Sequence, residues 1–293
     1  MTAQPERPAG TPGSLQPAPG EPAPSLLPPD LDATIVLLRH GESQWITEGR
    51  FQGQGDSPLS ALGRRQAALA AARLARPHAV PALPIPSGPP VAIRHSPLER
   101  TTVTATLVAE AMASPDSFGQ GIAVIPDPGF LEIGQGEWEG LPGATIVERW
   151  GLVLDGWRRD PVSAWAPGGE SLPEVDRRVR ASLRTALEEL RAAAPTPDPN
   201  RSHVLGYADG PGDEPWSLVV GHDGVFKVTL LALLDLALGR FWTFPFALCG
   251  ITVVEIRRGR PRLRLHNAAD HLAPLEDEHA RARDAERRKL GAL

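Results

Sequence analysis

Cysteine is almost absent from this sequence, which contains a single one, Cys249, among 293 residues. One thiol excludes an intramolecular disulfide and any zinc site built from several cysteines. Long apolar runs are also missing, since no stretch reaches the roughly 18 apolar residues that a membrane span needs. Met1 to Asp30 contains no apolar segment of the kind found in secretory signals. We therefore expect a cytoplasmic protein without a membrane partner.

A basic excess is also lacking, because 35 acidic residues outnumber 30 Lys and Arg residues and give a net charge of -5. Proteins that bind nucleic acid generally show a basic balance, so we expect no nucleic-acid partner. A local cluster of arginines can nevertheless bind a small anion on an acidic protein.

The composition divides the chain into three parts. Residues 1–30 are rich in Pro, Ala and Gly and are predicted to form a disordered N-terminal segment. Residues 31–275 are predicted to form one domain with a flexible, polar insertion at residues 195–215. A charged C-terminal helix is predicted for residues 276–293.

Within the domain, apolar runs typical of strands alternate with segments of helical periodicity, which predicts an α/β fold with helices on both faces of a sheet. The predicted strands are Thr34–Arg39, Val91–His95, Ile122–Ile125, Ser217–Gly221, Ile251–Arg257 and Arg262–His266. The predicted helices are Ala61–Ala75, Pro97–Ala113, Ala144–Trp157, residues 172–194 and Val225–Leu238. Ser60, Ser96 and Ser171 are the predicted N-caps of three of them, and Glu174 has capping-box spacing from Ser171.

Two of the predicted strands deliver a histidine at their carboxyl ends. Arg39 and His40 directly follow one aliphatic run, and His222 follows another after a single glycine. Open α/β sheets keep their functional sites at this edge. Arg100, in the first turns of a predicted helix, would add a positive charge there, and Glu132, in a glycine-rich loop, is the natural acid. Arginine and histidine are strong phosphate-binding or catalytic groups, so the pattern indicates a site of one of these two kinds.

Six groups of motif residues follow one another along the chain: Leu38–Ser43, residues 49–63, Ser96–Thr101, Leu131–Gly140, Gly169–Ser171 and Gly221–Gly224. In this order they resemble the motifs of the histidine phosphatase superfamily, also called the phosphoglycerate-mutase-like family. The resemblance spans about Thr34 to His271. It implies the family's fold, a three-layer α/β/α sandwich around a mostly parallel sheet.

The resemblance also implies a role for each candidate residue. His40 would be the nucleophile and would form a phosphohistidine, while Arg39, Arg100 and His222 would hold the phosphoryl oxygens. Glu132 would protonate the leaving oxygen and then help to activate water. For attack, His40 must be neutral at one ring nitrogen, so its other nitrogen should donate to a backbone carbonyl or a similar acceptor. His222 would work best protonated, and a bound phosphate dianion would raise its pKa.

Some assignments are less direct. Gln52 and Asp223 are placed with the substrate-binding residues, Gln52 at the rim of the pocket. Either Glu137 or Glu139 is the alternative to Glu132 as the acid. The family usually carries a phosphate-binding Asn where this chain has Ile46.

Isoleucine has no side-chain donor, so the departure at Ile46 leaves two alternatives. A neighbour among Ser43, Gln44 and Thr47 supplies the missing hydrogen bond, or the phosphate pocket is weaker.

We therefore expect a metal-independent phosphomonoester hydrolase that acts on a small phosphorylated metabolite and needs no cofactor. One alternative is a phosphoglycerate mutase, but residues 133–140 contain no basic residue, which favours hydrolysis. A non-catalytic phosphate-binding or scaffold protein is the other alternative, and Ile46 is its best support. Substrate identity and oligomeric state stay open, with a homodimer as one option. Specificity should come from Gly134–Trp165 and the 195–215 insertion.

Overall fold

A six-stranded sheet forms the centre of the part of the chain that the computed structural model describes, residues 25–194, 212–276 and 278. Its strands are β1 (Ala33–Arg39), β2 (Ile93–His95), β3 (Val124–Pro126), β4 (Trp216–Gly221), β5 (Ile251–Arg257) and β6 (Arg260–Ala268). They lie in the order β3-β2-β4-β1-β5-β6. The first four are parallel, and β5 and β6 are antiparallel to their neighbours. The predicted mostly parallel sheet is therefore confirmed.

Helices cover both faces of this sheet, as predicted. They are α1 (Gln44–Thr47), α2 (Ala61–Ala75), α3 (Glu99–Ala113), α4 (Gly143–Arg159), α5 (Leu172–Ala193) and α6 (Asp223–Leu233). Alternate side chains of β1 point to opposite faces. Ile35 and Leu37 join one apolar cluster with α5 and α6, while Val36 and Leu38 join the other with α2 and α3. Both faces of β1 are buried, which explains its continuous aliphatic sequence.

The helix signals that depend on neighbouring residues predict the structure well. Helix α2 has the predicted bounds, and the Ser60 side chain accepts a hydrogen bond from the backbone of Gly63. The capping box of Ser171 and Glu174 is also present at the start of α5. These features require only residues three apart, so the local sequence determines them.

The predicted start of α3 is wrong. Ser96 is not its N-cap; the helix begins at Glu99, and Leu98 occupies the cap position without a side-chain bond. The backbone N–H of Glu99 donates instead to the carboxylate of Asp56 at 2.9 Å. A loop distant in sequence therefore replaces the predicted local cap. That loop, predicted to be irregular, also contains α1.

The predicted segment boundaries also change where the structure describes them. Leu26 and Leu27 lie within the segment predicted to be disordered, yet both are buried against the cluster that contains α5 and α6. At the end of the predicted insertion, buried Glu214 forms an ion pair with Arg257 at 2.9 Å. Residues 1–24 and 195–211, and most of the predicted C-terminal helix, lie outside the described residues.

A membrane-crossing segment was not expected. None of the helices within the described ranges is both long enough and apolar enough to cross a bilayer.

Candidate active site

Strands β1 and β4 bring the two predicted histidines together. They are parallel neighbours, with Arg39 paired in register with Gly221, so the residues that follow them emerge at the same edge. The ring centroids of His40 and His222 lie 5.0 Å apart, with an angle of 64° between the rings. Both rings are buried. The predicted convergence of the two strand ends is therefore present in the structure.

The ring of His40 has a defined tautomer. Its Nδ1 lies 2.6 Å from the carbonyl oxygen of Gly41, and because a carbonyl can only accept, Nδ1 must donate. Burial, followed by the positive charges of Arg100 and Arg39, holds the pKa of His40 well below its ordinary value. The neutral ring therefore keeps a lone pair on Nε2. The predicted hydrogen bond to a backbone carbonyl is confirmed.

Gly41 is needed here for a reason that the sequence did not reveal. A Cβ atom at this position would collide with the backbone of Gly63 in α2. The absence of a side chain lets α2 pack directly against the turn after His40. Gly41 thus keeps the acceptor for Nδ1 in place.

The surroundings of His222 favour a neutral ring in the protein alone. Its protonation beside a bound phosphate dianion stays a prediction. Its Nδ1 accepts a hydrogen bond from Nε of Arg100 at 3.3 Å, since the guanidinium can only donate. Burial, followed by the positive charges of Arg100 and Arg39, holds the pKa of His222 well below its ordinary value. Its proton must then reside on Nε2, which is buried and has no partner among the described residues. The ring offers one donor at the site.

Two guanidinium groups flank the histidines. Arg100 is fully buried and donates to the carbonyls of Gly53 and Gly55 at 2.8 and 2.9 Å. Burial lowers its pKa to about 10, against the opposing effect of Glu132 and other carboxylates, so it stays charged at neutral pH. Nη1 of Arg39 donates to the carbonyl of Phe246 at 2.5 Å, and its buried Nε has no partner within the described chain.

Glu132 lies against the first turn of α6. Its Oε1 accepts from the backbone N–H groups of Ile133 and Val225, both at 2.9 Å. Its Oε2 accepts from Gly224 N–H at 3.1 Å. Gly224 is required for this approach, because a Cβ there would lie 2.7 Å from Oε1. Oε1 therefore accepts two backbone hydrogen bonds, whereas Oε2 accepts one.

The two other predicted substrate-binding residues have protein partners. Oε1 of Gln52 accepts from the hydroxyl of Ser43 at 2.9 Å, which fixes the amide and leaves its nitrogen as a donor. Asp223 accepts from Lys227 at 2.6 Å through one oxygen and from Phe246 N–H at 3.3 Å through the other. Its carboxylate thus joins α6 to the segment that also holds Arg39.

The two alternative acids, Glu137 and Glu139, have different surroundings from those of Glu132. Glu137 is exposed, and Oε1 of Glu139 accepts from the backbone N–H groups of Gln54 and Gln135, both at 2.9 Å. Ile46 is half-buried and belongs to none of the three apolar clusters in the described chain.

Sequence reasoning assigned no role to one group of residues around the candidate acid, although Glu170 lies in one of the motifs. Arg178 of α5, Glu170 and Gln54 all bond to the segment that carries Glu132. Arg178 is predicted from periodicity only to lie on the polar side of α5, and no local signal links it to that segment.

The structure offers no ready place for a metal ion in its described ranges. No group of three or more His, Cys, Asp or Glu residues there is arranged to bind one.

The two buried histidines predict a pH dependence of stability. Below about pH 6.5 the unfolded chain takes up protons at these positions while the folded state does not. The free energy of unfolding should therefore decrease as the pH is lowered. One histidine contributes at most about 1.36 kcal/mol per pH unit in this window. Urea unfolding at about pH 7.5 and about pH 5.5 measures the fall.

His222→Asn should lose less stability between these two pH values than the unaltered protein does. His78→Asn, which changes an exposed histidine, is the matched control and should behave like the unaltered protein. An equal fall in the His222→Asn variant would contradict the buried, neutral state of His222.

Comparison with known proteins agrees with this arrangement. A family model described as the histidine phosphatase superfamily (branch 1) matches residues 35–195 and 207–269. Phosphoserine phosphatase 1 of Hydrogenobacter thermophilus is 30% identical over 241 residues, which cover 81% of this chain and 93% of that protein. A mycobacterial glucosyl-3-phosphoglycerate phosphatase, solved with VO3, is 30% identical with a TM-score of 0.60, covering 80% of this chain and 98% of that one.

One protein that is similar over a shorter part of this chain is named as a mutase. A Yersinia enterocolitica protein named "Probable phosphoglycerate mutase" is 34% identical over 158 residues, which cover 53% of this chain and 63% of that protein.

Proposed function

Because this chain belongs to branch 1 of the histidine phosphatase superfamily, we propose that it hydrolyses phosphomonoesters through a phosphohistidine on His40. The observation that carries the proposal is the state of His40, a buried neutral ring whose Nδ1 donates to Gly41. That bond leaves the lone pair of the neutral ring on Nε2, which supports Nε2 as the nucleophilic atom. Charged Arg39 and Arg100 flank it, and His222 presents a buried N–H.

In the first step, Nε2 of His40 attacks the phosphorus atom in line with the ester oxygen. The N–P bond forms while the P–O bond to the leaving group breaks, and the electron pair stays on the ester oxygen. The carboxyl group of Glu132 gives its proton to that oxygen, so the product leaves as an alcohol. Arg39, Arg100 and His222 stabilise the charge on the other phosphoryl oxygens.

In the second step, a water molecule attacks the phosphohistidine. The carboxylate of Glu132 takes a proton from the water while the new P–O bond forms. The P–N bond breaks, its electron pair returns to Nε2 of His40, and inorganic phosphate leaves. The enzyme is then back in its starting protonation state.

The partnerless donors support an anion at this place. Buried donors without a partner are rare in folded proteins, yet Nε of Arg39 and Nε2 of His222 are both of this kind in the described chain. Phosphate oxygens are strong acceptors and would satisfy such donors. We propose that these groups, with Arg100, form the phosphate pocket.

Hydrolysis is favoured over the two alternatives. The segment after Glu132, residues 133–140, has no basic residue that could bind a second acidic group of a phosphoglycerate. Two similar proteins that match more than three quarters of this chain are named phosphatases. A non-catalytic scaffold would not require a neutral His40 with its nucleophilic nitrogen left available.

We further propose a small phosphorylated metabolite as substrate, with no metal, cofactor, nucleic acid or membrane needed for activity. The cytoplasm is the proposed location, and a homodimer is one option for the assembly. Purified protein should release phosphate from 4-nitrophenyl phosphate in the presence of EDTA. A screen over phosphoserine, sugar phosphates, nucleotides and phosphoglycerates would then identify the substrate. No turnover in the whole screen would favour the scaffold alternative.

Ile46→Asn should strengthen phosphate binding. The substitution supplies a donor at the position where the family usually has one, and a hydrogen bond to a charged group is worth about 1.5–3 kcal/mol. We therefore expect kcat/KM to rise roughly ten- to a hundredfold and vanadate to inhibit more strongly. Because Ile46 lies outside the apolar clusters of the described chain, the melting temperature should not change.

Thr47→Asn is the control, since it places the same side chain on the next, exposed position of α1. A lower melting temperature of Ile46→Asn without stronger anion binding would contradict the missing-donor interpretation.

A further inference from the structure

We infer that Arg178, held by Glu170 and Gln54, is a positioning residue that aims the carboxyl group of Glu132 at the leaving oxygen. The inference rests on the proposed function, because it concerns the acid of that reaction. Arg178 does not contact the phosphate pocket residues His40, Arg39 or Arg100 by any hydrogen bond within the described ranges. Its action would pass through the backbone of the segment that carries Glu132.

All five N–H donors of the Arg178 guanidinium are used. Nη1 donates to the carbonyls of Gly129 and Leu131 at 2.9 and 2.8 Å, and Nη2 donates to the carbonyl of Glu132 at 3.0 Å. The two remaining donors, one on Nε and one on Nη2, bind Glu170 at 2.9 and 2.8 Å. Three carbonyls of one short segment therefore point at one side chain. Lysine has three donors and no planar fork, so it cannot reproduce this set.

Glu170 and Gln54 bind the backbone at and after Glu132, and we call these two residues together with Arg178 the frame. Oε2 of Glu170 accepts from the backbone N–H of Gly134 at 2.8 Å and from the amide of Gln54 at 3.0 Å. The same Gln54 amide donates to the carbonyl of Glu132 at 3.2 Å. The backbone is thus fixed both before and after the acid.

The side chain of Glu132 is fixed from a different element. Its carboxylate accepts from Gly224 and Val225 at the start of α6, immediately after His222. Arg178 ties the backbone of Glu132 to α5, while these bonds tie its carboxylate to α6. The position of the acid relative to the two histidines therefore depends on both helices. A misplacement of about 1 Å can cost about a hundredfold in rate, so the frame has a catalytic consequence.

The test compares two substrates that need the acid to different degrees. 4-Nitrophenolate leaves without protonation, whereas the alkoxide of glycerol 2-phosphate does not. For Arg178→Lys we expect kcat/KM with glycerol 2-phosphate to fall about ten- to a hundredfold and kcat/KM with 4-nitrophenyl phosphate to fall less than about threefold. Inhibition by vanadate should stay within about twofold, since the phosphate donors are unchanged.

The ratio of the two kcat/KM values is the decisive readout, because it excludes the hydrolysis of the phosphohistidine that both substrates share and because any inactive, misfolded fraction of the enzyme cancels from it. Gln54→Ala removes two bonds of the frame without leaving a buried charge, and it should shift the ratio in the same direction if Arg178→Lys does not fold. The matched control is Arg180→Lys, which alters an arginine paired with Asp176 at 2.8 Å on the same helix. Its ratio should equal that of the unaltered protein.

An unchanged ratio in folded Arg178→Lys and in Gln54→Ala would overturn the inference. Glu132→Gln separates that failure from a failure of the proposed function. A shifted ratio in Glu132→Gln, with unchanged ratios in the frame variants, would leave Glu132 as the acid and remove only the role of Arg178. An unchanged ratio in Glu132→Gln as well would show that the acid itself is wrongly assigned.

Discussion

His40→Ala should lose phosphatase turnover by about 10⁴-fold or more, because the variant has no group to accept the phosphoryl from the ester. Water cannot replace the imidazole efficiently. In the unaltered protein the buried pocket and the bond from Nδ1 to Gly41 hold Nε2 of His40 in place, whereas a water molecule from solvent is not held in this way. Steady-state release of 4-nitrophenolate measures the loss. A melting curve shows whether the variant is folded.

His95→Gln provides the matched control for this variant. His95 is also a buried histidine at the end of a parallel strand, and its Nδ1 lies 2.8 Å from the carbonyl of the next residue, Ser96. It lies on β2 and is no part of the proposed chemistry, so its kcat should stay within about threefold of the unaltered value. Substantial turnover in folded His40→Ala would mean that another residue forms the intermediate, or that none forms.

Glu132→Gln should reduce kcat/KM, which reports the steps up to departure of the leaving group, by about 10²–10⁴-fold for glycerol 2-phosphate and much less for 4-nitrophenyl phosphate. Glutamine keeps the shape of the side chain, and its amide oxygen can still accept from Ile133 and Val225, so the loop should keep its place. What the variant lacks is the proton that an alkoxide needs on leaving. The comparison of the two substrates measures this loss directly.

Glu137→Gln and Glu139→Gln are the controls, because they are the other acids of the same loop. Glu137→Gln should leave the rates with both substrates unchanged, because Glu137 is exposed. Glu139→Gln should lower the rates with both substrates by the same factor, because Oε1 of Glu139 accepts two backbone bonds that shape the loop. Equal losses for both substrates in Glu132→Gln, with a selective loss in one of the controls, would transfer the role to that control residue.

The strand-end histidines could be predicted from sequence because their placement depends on local patterns and one topological rule. Aliphatic runs identify β1 and β4, and parallel strands present their carboxyl ends at one edge. His40 and His222 follow those runs directly, so no long-range information was needed to bring them together. The tautomer of His40 was equally local, because its partner is the carbonyl of the next residue.

The features that sequence reasoning missed depend on contacts between distant residues. The start of α3 is fixed by Asp56, which lies 43 positions before its partner Glu99. Leu26 and Leu27 lie in a proline-rich stretch whose composition predicts disorder, yet the core buries them. Composition averages over a window and cannot register two apolar side chains that find a place in a core formed by other elements.

The protonation of His222 and the contacts of Arg178 show a second limit. Burial beside Arg100 and Arg39 favours a neutral His222 in the protein alone, and neither arginine is adjacent to it in sequence. Arg178 lies 46 residues from Glu132, and its bonds are to backbone carbonyls. Backbone acceptors carry no sequence signature, so only the fold reveals such a partner.

Identification of the phosphorylated residue during turnover tests the central claim most directly. Enzyme mixed with ³²P-labelled substrate and quenched rapidly should carry label that is stable in alkali and labile in acid, as expected for phosphohistidine. Peptide mapping should place the label on His40, and His40→Ala should carry none. Label on any other residue, or label that persists in folded His40→Ala, would contradict the account.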